Sequence, residues 1–120
     1  KEERIIYYTC RVKEFAGYGA VFAASDYYAI ELLYFLMDNG YKVPDDIWII
    51  GFDDITECVN VRPTLASVRQ DVSYRARKAV EYLTYMKKDN DCSVTEKISV
   101  EFIPRDSCIQ QPELSTVRNR

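Results

Sequence analysis

Three short polar clusters carry the spacing in this sequence that suggests chemistry: Ser25-Asp26, Asp53-Asp54 and Gln70-Asp71. Each sits at the end of an apolar stretch, over residues 20–24, 47–52 and 65–69. A carboxylate accepts two hydroxyl hydrogen bonds, and charge-assisted bonds are the stronger kind. A rim built from three such ends therefore suits a polyhydroxylated ligand. The same residues have plainer uses. Ser25 or Asp26 can cap a following helix, and Asp54 can cap a short segment over 55–60. Paired Asp after a strand can also bind magnesium, as in phosphoryl-transfer domains. Spacing alone leaves cap, sugar contact and metal site open for the Asp pair. The phosphoryl-transfer reading also calls for a phosphate-binding element, and the sequence has no Gly-rich loop.

Composition narrows the classes further. The chain has no His, which removes the commonest general base and metal ligand. Its four cysteines, Cys10, Cys58, Cys92 and Cys108, include no C-x-x-C pair. They support neither a zinc site nor a compact disulfide framework, and a reduced, cytoplasmic protein is expected. The net charge is -3, and the basic cluster over 69–78 is interrupted by Asp71. That cluster reads as a solvated face rather than a nucleic-acid surface. No apolar run approaches the roughly 20 residues that span a bilayer, and no signal peptide is present. Ten Tyr in 120 residues favour half-buried faces and interfaces. No metal and no cofactor are expected.

The elements that must position the clusters follow from periodicity. Residues 1–15 read as a helix with Ile5, Tyr8, Val12 and Phe15 on one face. Residues 20–24 and 47–52 are continuous apolar runs that suit strands buried on both faces. Between them, 27–38 reads as a helix with an inner stripe of Ile30, Leu33 and Met37, closed by Gly40. A third strand is expected over 65–69 and a third helix over 73–88, the latter with Ala76, Ala79, Val80, Leu83 and Met86 on one face. Residues 88–93 read as a loop. Ile98, Val100 and Phe102 alternate with polar residues, as on an edge strand. Buried strands alternating with amphipathic helices predict an open, Rossmann-like α/β sheet, with ligands beyond the carboxyl ends of the strands.

The run over 20–55 resembles effector-binding domains of LacI/GalR-type regulators. The carrying features are Ser25-Asp26 after a strand, Gly40 to Asp46 with Val43-Pro44, and Gly51-Phe52-Asp53-Asp54 after the next strand. Pro63 with 65–70, and the closing Pro104-Arg105-Asp106-Ser107, are similar to the family's later signatures. In order, the resemblance covers about nine-tenths of the chain. It implies a periplasmic-binding-protein-like fold with two lobes, of which 1–108 is an incomplete C-terminal part and 109–120 a polar tail. It implies no catalysis. The expected partner is a sugar- or nucleoside-sized effector, contacted by Asp53, Ser25, Gln70 and Val72. Ser25 is shorter than the Asn common in relatives, and Val72 is smaller than their usual residue. The resemblance further implies a homodimer using Ile30, Tyr34 and Val61, although core packing serves Ile30 equally well. Glu31 stands where relatives usually have Gly. Operator DNA would be bound only by a helix-turn-helix that these 120 residues lack. The apolar face over 73–88 would pack on the absent lobe, so the chain alone is expected to dimerise or swap elements. A transport-type sugar-binding protein of the same fold is the alternative.

Overall fold

The computed structural model describes residues 2–87 and 93–108. Three short strands run parallel: β1 (Ala20–Phe22), β2 (Trp48–Asp53) and β3 (Ala66–Gln70). A fourth, β4 (Val100–Ile103), lies antiparallel to β3, giving the order β1-β2-β3-β4. Val21 pairs with Ile49, Asp53 with Arg69, and Val68 with Phe102. The carboxyl ends of the three parallel strands therefore finish on one side of the sheet. This is the open α/β sheet the periodicity predicts, and β4 is an edge strand as expected.

Because side chains alternate along a strand, Ile49, Gly51 and Ser67 fall on one face and are buried there. Ile50, Phe52, Val68 and Phe102 share the other face, where the first three are half-buried and Phe102 is exposed. Phe22 is 59% exposed there and meets the Phe52 ring edge-on at 6.3 Å. The expectation of strands buried on both faces is thus corrected. β1 is an edge strand, and the helix packed on the sheet covers one side.

That helix is α2 (Asp26–Asp38), which lies against β2. Its inner stripe is Asp26, Ala29, Leu33 and Leu36, with Leu32 and Phe35 beside it. Of the expected stripe only Leu33 is central. Ile30 is half-buried and Met37 is 40% exposed. The stripe is displaced because it begins with a buried carboxylate, a residue type that periodicity places outside. Gly40, at φ 88°, ends the helix, and the Tyr41 amide returns to the Leu36 carbonyl at 3.0 Å.

An N-terminal helix, α1 (Glu2–Arg11), and a 3₁₀ turn over Val12–Gly17 pack outside α2. Ile5, Tyr8, Val12 and Phe15 meet the core as their spacing predicts. The Tyr8 ring lies 5.5 Å from that of Phe35, and the Tyr41 hydroxyl donates to the Val12 carbonyl at 2.6 Å. Arg4 reaches across to Glu31 at 2.9 Å, so the carboxylate fastens α1 to α2.

The third helix, α3 (Val72–Met86), is capped by Asp71, whose carboxylate accepts the Tyr74 amide at 2.8 Å. Tyr74, Lys78 and Tyr82 form its half-buried side, where both hydroxyls donate to Glu96. Ala76, Ala79, Val80, Leu83 and Met86 are all exposed, Leu83 by 65%. Cys10, Cys58 and Cys108 are free thiols. The tail over 109–120, most of the loop over 88–93 and Cys92 lie outside the described residues. Among the described residues, no helix is long and apolar enough to cross a membrane.

Candidate functional site

The turn after β2 is shaped from below by a buried carboxylate. Asp26 is fully buried; it accepts the Ser67 hydroxyl at 2.6 Å and the Ile55 amide at 2.9 Å. Ser67 Oγ in turn accepts the Asp54 amide at 3.1 Å. These bonds satisfy the amides of 54 and 55 in a turn where Asp53 (φ 107°) and Asp54 (φ 55°) both take left-handed backbone. Such conformations are costly for non-glycine residues and persist where their surroundings impose them. Gly51 leaves room for Asp26, since a Cβ there would come within 3.2 Å of the Asp26 Cα. Burial first, and then the hydrogen bond to Asp26 and its charge, push the neighbouring Cys58 thiol up to about 12.

Asp26 is therefore neither the helix cap nor the ligand contact that its position at a strand end suggests. Ser25 occupies the cap position of α2, but its side chain makes no capping bond.

Asp54 has a different role from Asp53. Its side chain is only 5% exposed and takes Arg105 Nη2 at 2.6 Å and Arg69 Nη2 at 2.7 Å. Burial alone would raise its carboxyl. The two guanidiniums outweigh burial and hold it below the ordinary carboxylate range. Two corrections follow. The segment after it is a 3₁₀ turn over Thr56–Val59 headed by Ile55, so Asp54 does not cap it. A magnesium ion shared by Asp53 and Asp54 would also have to displace two arginines. Among the described residues, no group of three or more acidic, Cys or His side chains is arranged to hold a metal ion.

Arg105 further donates to the Leu65 carbonyl at 2.7 Å, and Ser107 Oγ bridges the Ile49 carbonyl (2.6 Å) and the Ala66 amide (2.8 Å). The segment after β4 thereby stitches β2 to β3 beneath the rim.

With Asp54 held between two arginines and Asp71 capping α3, Asp53 is the remaining carboxylate of the strand-end clusters at the cavity. Gln70 donates its amide to Asp53 Oδ1, and Arg75 from the first turn of α3 donates to the Gln70 carbonyl oxygen. The guanidinium fixes which end of the Gln70 amide faces Asp53 and leaves the second Asp53 oxygen outside this chain of bonds. Asp53, Gln70 and Val72 line one cavity of about 680 Å³, a size suited to a small-molecule ligand. Ser25 does not line it, although it follows the neighbouring strand β1. Ile30 and Tyr34 line a separate groove of about 580 Å³ between α1 and α2. Val61 is 7% exposed inside the core, so it has little side chain to offer another molecule.

The periplasmic binding protein-like domain family matches residues 7–108. The chain belongs to that family, in its LacI/GalR group. It is 34% identical over 89 residues to the HTH-type transcriptional regulator MalR of Clostridium butyricum, over 74% of this chain and 27% of that protein. The cellobiose complex of the transcriptional regulator CelR superposes with a TM-score of 0.63 at 29% identity, over 74% of this chain and 28% of the other. A LacI family regulator from Enterococcus faecium with bound ribose gives 0.59 at 29% identity, over 73% and 33%. The chain spans about a quarter of the length of the curated relatives it matches. Those relatives are transcription regulators, not enzymes.

Sequence reasoning missed the supporting layer of Asp26, Ser67, Gly51 and Arg75. Arg105 stood inside a recognised motif, but its partner was not evident.

Proposed function

We propose that this chain is part of the effector-binding domain of a LacI-type transcription regulator and takes a sugar- or nucleoside-sized effector at the ends of β1, β2 and β3. The observation that carries the reading is Asp53, held at φ 107° on the rim of a cavity with only one oxygen engaged by Gln70. A strained acidic residue in a cleft costs stability without adding core contacts, which is expected of a ligand contact. The ribose and cellobiose in the two related structures support a sugar. Asp53 would accept ligand hydroxyls, Gln70 would orient it, Val72 would form an apolar wall, and Ser25 would complete the rim from β1.

In this reading the effector changes operator binding by a helix-turn-helix in a longer cytoplasmic protein, through coupling between two distinct sites. The Ile30–Tyr34 groove would form the homodimer contact, and the open face of α3 would lie against a second lobe.

Thermal-shift screening of the chain against sugars and nucleosides, beside Asp53→Ala, tests the site. A ligand that binds only the native state stabilises it by about 2.7 kcal/mol at 100 times its Kd. A shift present in the wild type and lost in the variant is expected. A shift that survives Asp53→Ala would move the ligand elsewhere.

A further inference from the structure

The charges around the Asp53 cavity also select the ligand's own charge. Four carboxylates line it, Asp53, Asp54, Asp71 and Glu101, against one guanidinium, Arg69. That guanidinium is already engaged: Arg69 lies 2.7 Å from Asp54 and 3.6 Å from Glu101. Outside the lining, Arg105 is held on Asp54, and Arg75 donates to the neutral Gln70 amide.

The N-terminus of α3 opens on the same cavity through Val72 and Ser73, and a helix N-terminus ordinarily attracts anions. Here the Asp71 carboxylate occupies it, accepting the Tyr74 amide at 2.8 Å. Counted together, Asp53, Asp54, Asp71 and Glu101 face Arg69, Arg105 and Arg75, so these groups carry a net charge of -1, and each guanidinium is already hydrogen-bonded within the chain.

We infer that the effector held here is an uncharged or cationic polyol, and that phosphorylated and acidic sugars are rejected. This rests on the sugar-site reading above and adds the ligand's charge class to it. The discrimination is electrostatic, so it strengthens as salt is removed.

Matched pairs provide the test. The purified chain is titrated with ribose and ribose 5-phosphate, and with glucose, glucose 6-phosphate and glucosamine, at low and moderate salt. Binding is read by saturation-transfer NMR and calorimetry. In the pair that binds, the neutral sugar is expected to bind about tenfold more tightly than its phosphate, equivalent to ~1.4 kcal/mol. The gap should widen at low salt. Glucosamine should bind at least as well as glucose if the hexose is the ligand.

A second variant keeps the charge argument separate from the fold. Glu101 is on an edge strand with its side chain 68% exposed, so Glu101→Lys tests charge at little structural cost. It should narrow the gap several-fold. A phosphate that binds as tightly as its parent sugar, and whose binding is lost in Asp53→Ala, would overturn the charge inference while leaving the site standing. Binding unaffected by Asp53→Ala, or no binding by any member, would overturn the site reading and this inference with it.

Discussion

Arg105→Ala removes one of two guanidiniums from a nearly buried carboxylate. Arg105 meets Asp54 Oδ1 at 2.6 Å and the Leu65 carbonyl at 2.7 Å, and the Asp54 side chain is 5% exposed. Breaking a buried ion pair from one side typically costs about 3–5 kcal/mol, because the remaining charge is left without compensation. Arg69 still holds Asp54 Oδ2, so the ionic part falls below that range, at roughly 2 kcal/mol. The orphaned Leu65 carbonyl adds about 1 kcal/mol. The expected loss near neutral pH is therefore about 3 kcal/mol, read as a fall in the urea midpoint of roughly 1.5 M for an m-value of about 2 kcal/mol/M.

The pH dependence identifies the cause. Asp54 is depressed in the folded state, so its contribution is fully present above its unfolded value of 3.8 and is lost as pH falls through its folded value. The gap between wild type and variant should thus be largest near pH 7 and narrow in acid below pH 3.8 toward the roughly 1 kcal/mol owed to the Leu65 carbonyl. A gap that is absent at pH 7, or stays constant into acid, would refute the pairing. So would a cycle with Asp54→Asn in which the two losses simply add.

Three further outcomes test the layer beneath the rim and the open helix face. Asp26→Ala leaves the Ser67 hydroxyl and the Ile55 amide without their acceptor, at about 1–3 kcal/mol for each buried group. It should also bring the Cys58 thiol down from about 12, so that alkylation at fixed pH speeds up; an unchanged rate would contradict the contact. Asp53→Gly relieves left-handed backbone and should raise the melting temperature, by up to roughly 1 kcal/mol of stability, while ligand response is lost. A lower melting temperature would remove the strain argument. Leu83→Lys sits on the exposed face of α3 and should change stability by less than about 0.5 kcal/mol while reducing self-association in sedimentation. A large destabilisation would mean that this face is packed within the chain.

Much of this architecture was legible because it rests on local signals. The run over 47–52 and the Asp53-Asp54 that follows mark a parallel strand and its carboxyl end, and Gly40 marks a helix end through its left-handed φ. Ile5, Tyr8, Val12 and Phe15 mark a packed face by spacing alone. What stayed hidden depends on partners far apart in the chain. Asp26 and Ser67 are 41 residues apart, and Asp54 and Arg105 are 51 apart. No periodicity distinguishes a carboxylate that joins such a network from one that caps a helix. The same gap misplaced the stripe of α2, which counts Asp26 as an inner residue. Spacing alone also left Asp53 and Asp54 alike, although the family resemblance put only Asp53 at the ligand; Asp54 is held between two arginines. Val61, which the resemblance places at a dimer contact, is 7% exposed in the core cluster of this chain.

The central claim is that ligand is held at the carboxyl ends of the parallel strands, with Asp53 as its acceptor. A sugar titration followed by chemical-shift mapping of the isotope-labelled chain tests it most directly. The account predicts saturable shifts concentrated at Asp53, the Gln70 side-chain amide, Val72 and Ser25, with the α1–α2 groove unmoved. Saturable shifts centred on Ile30 and Tyr34, with Asp53 and Gln70 silent, would contradict it.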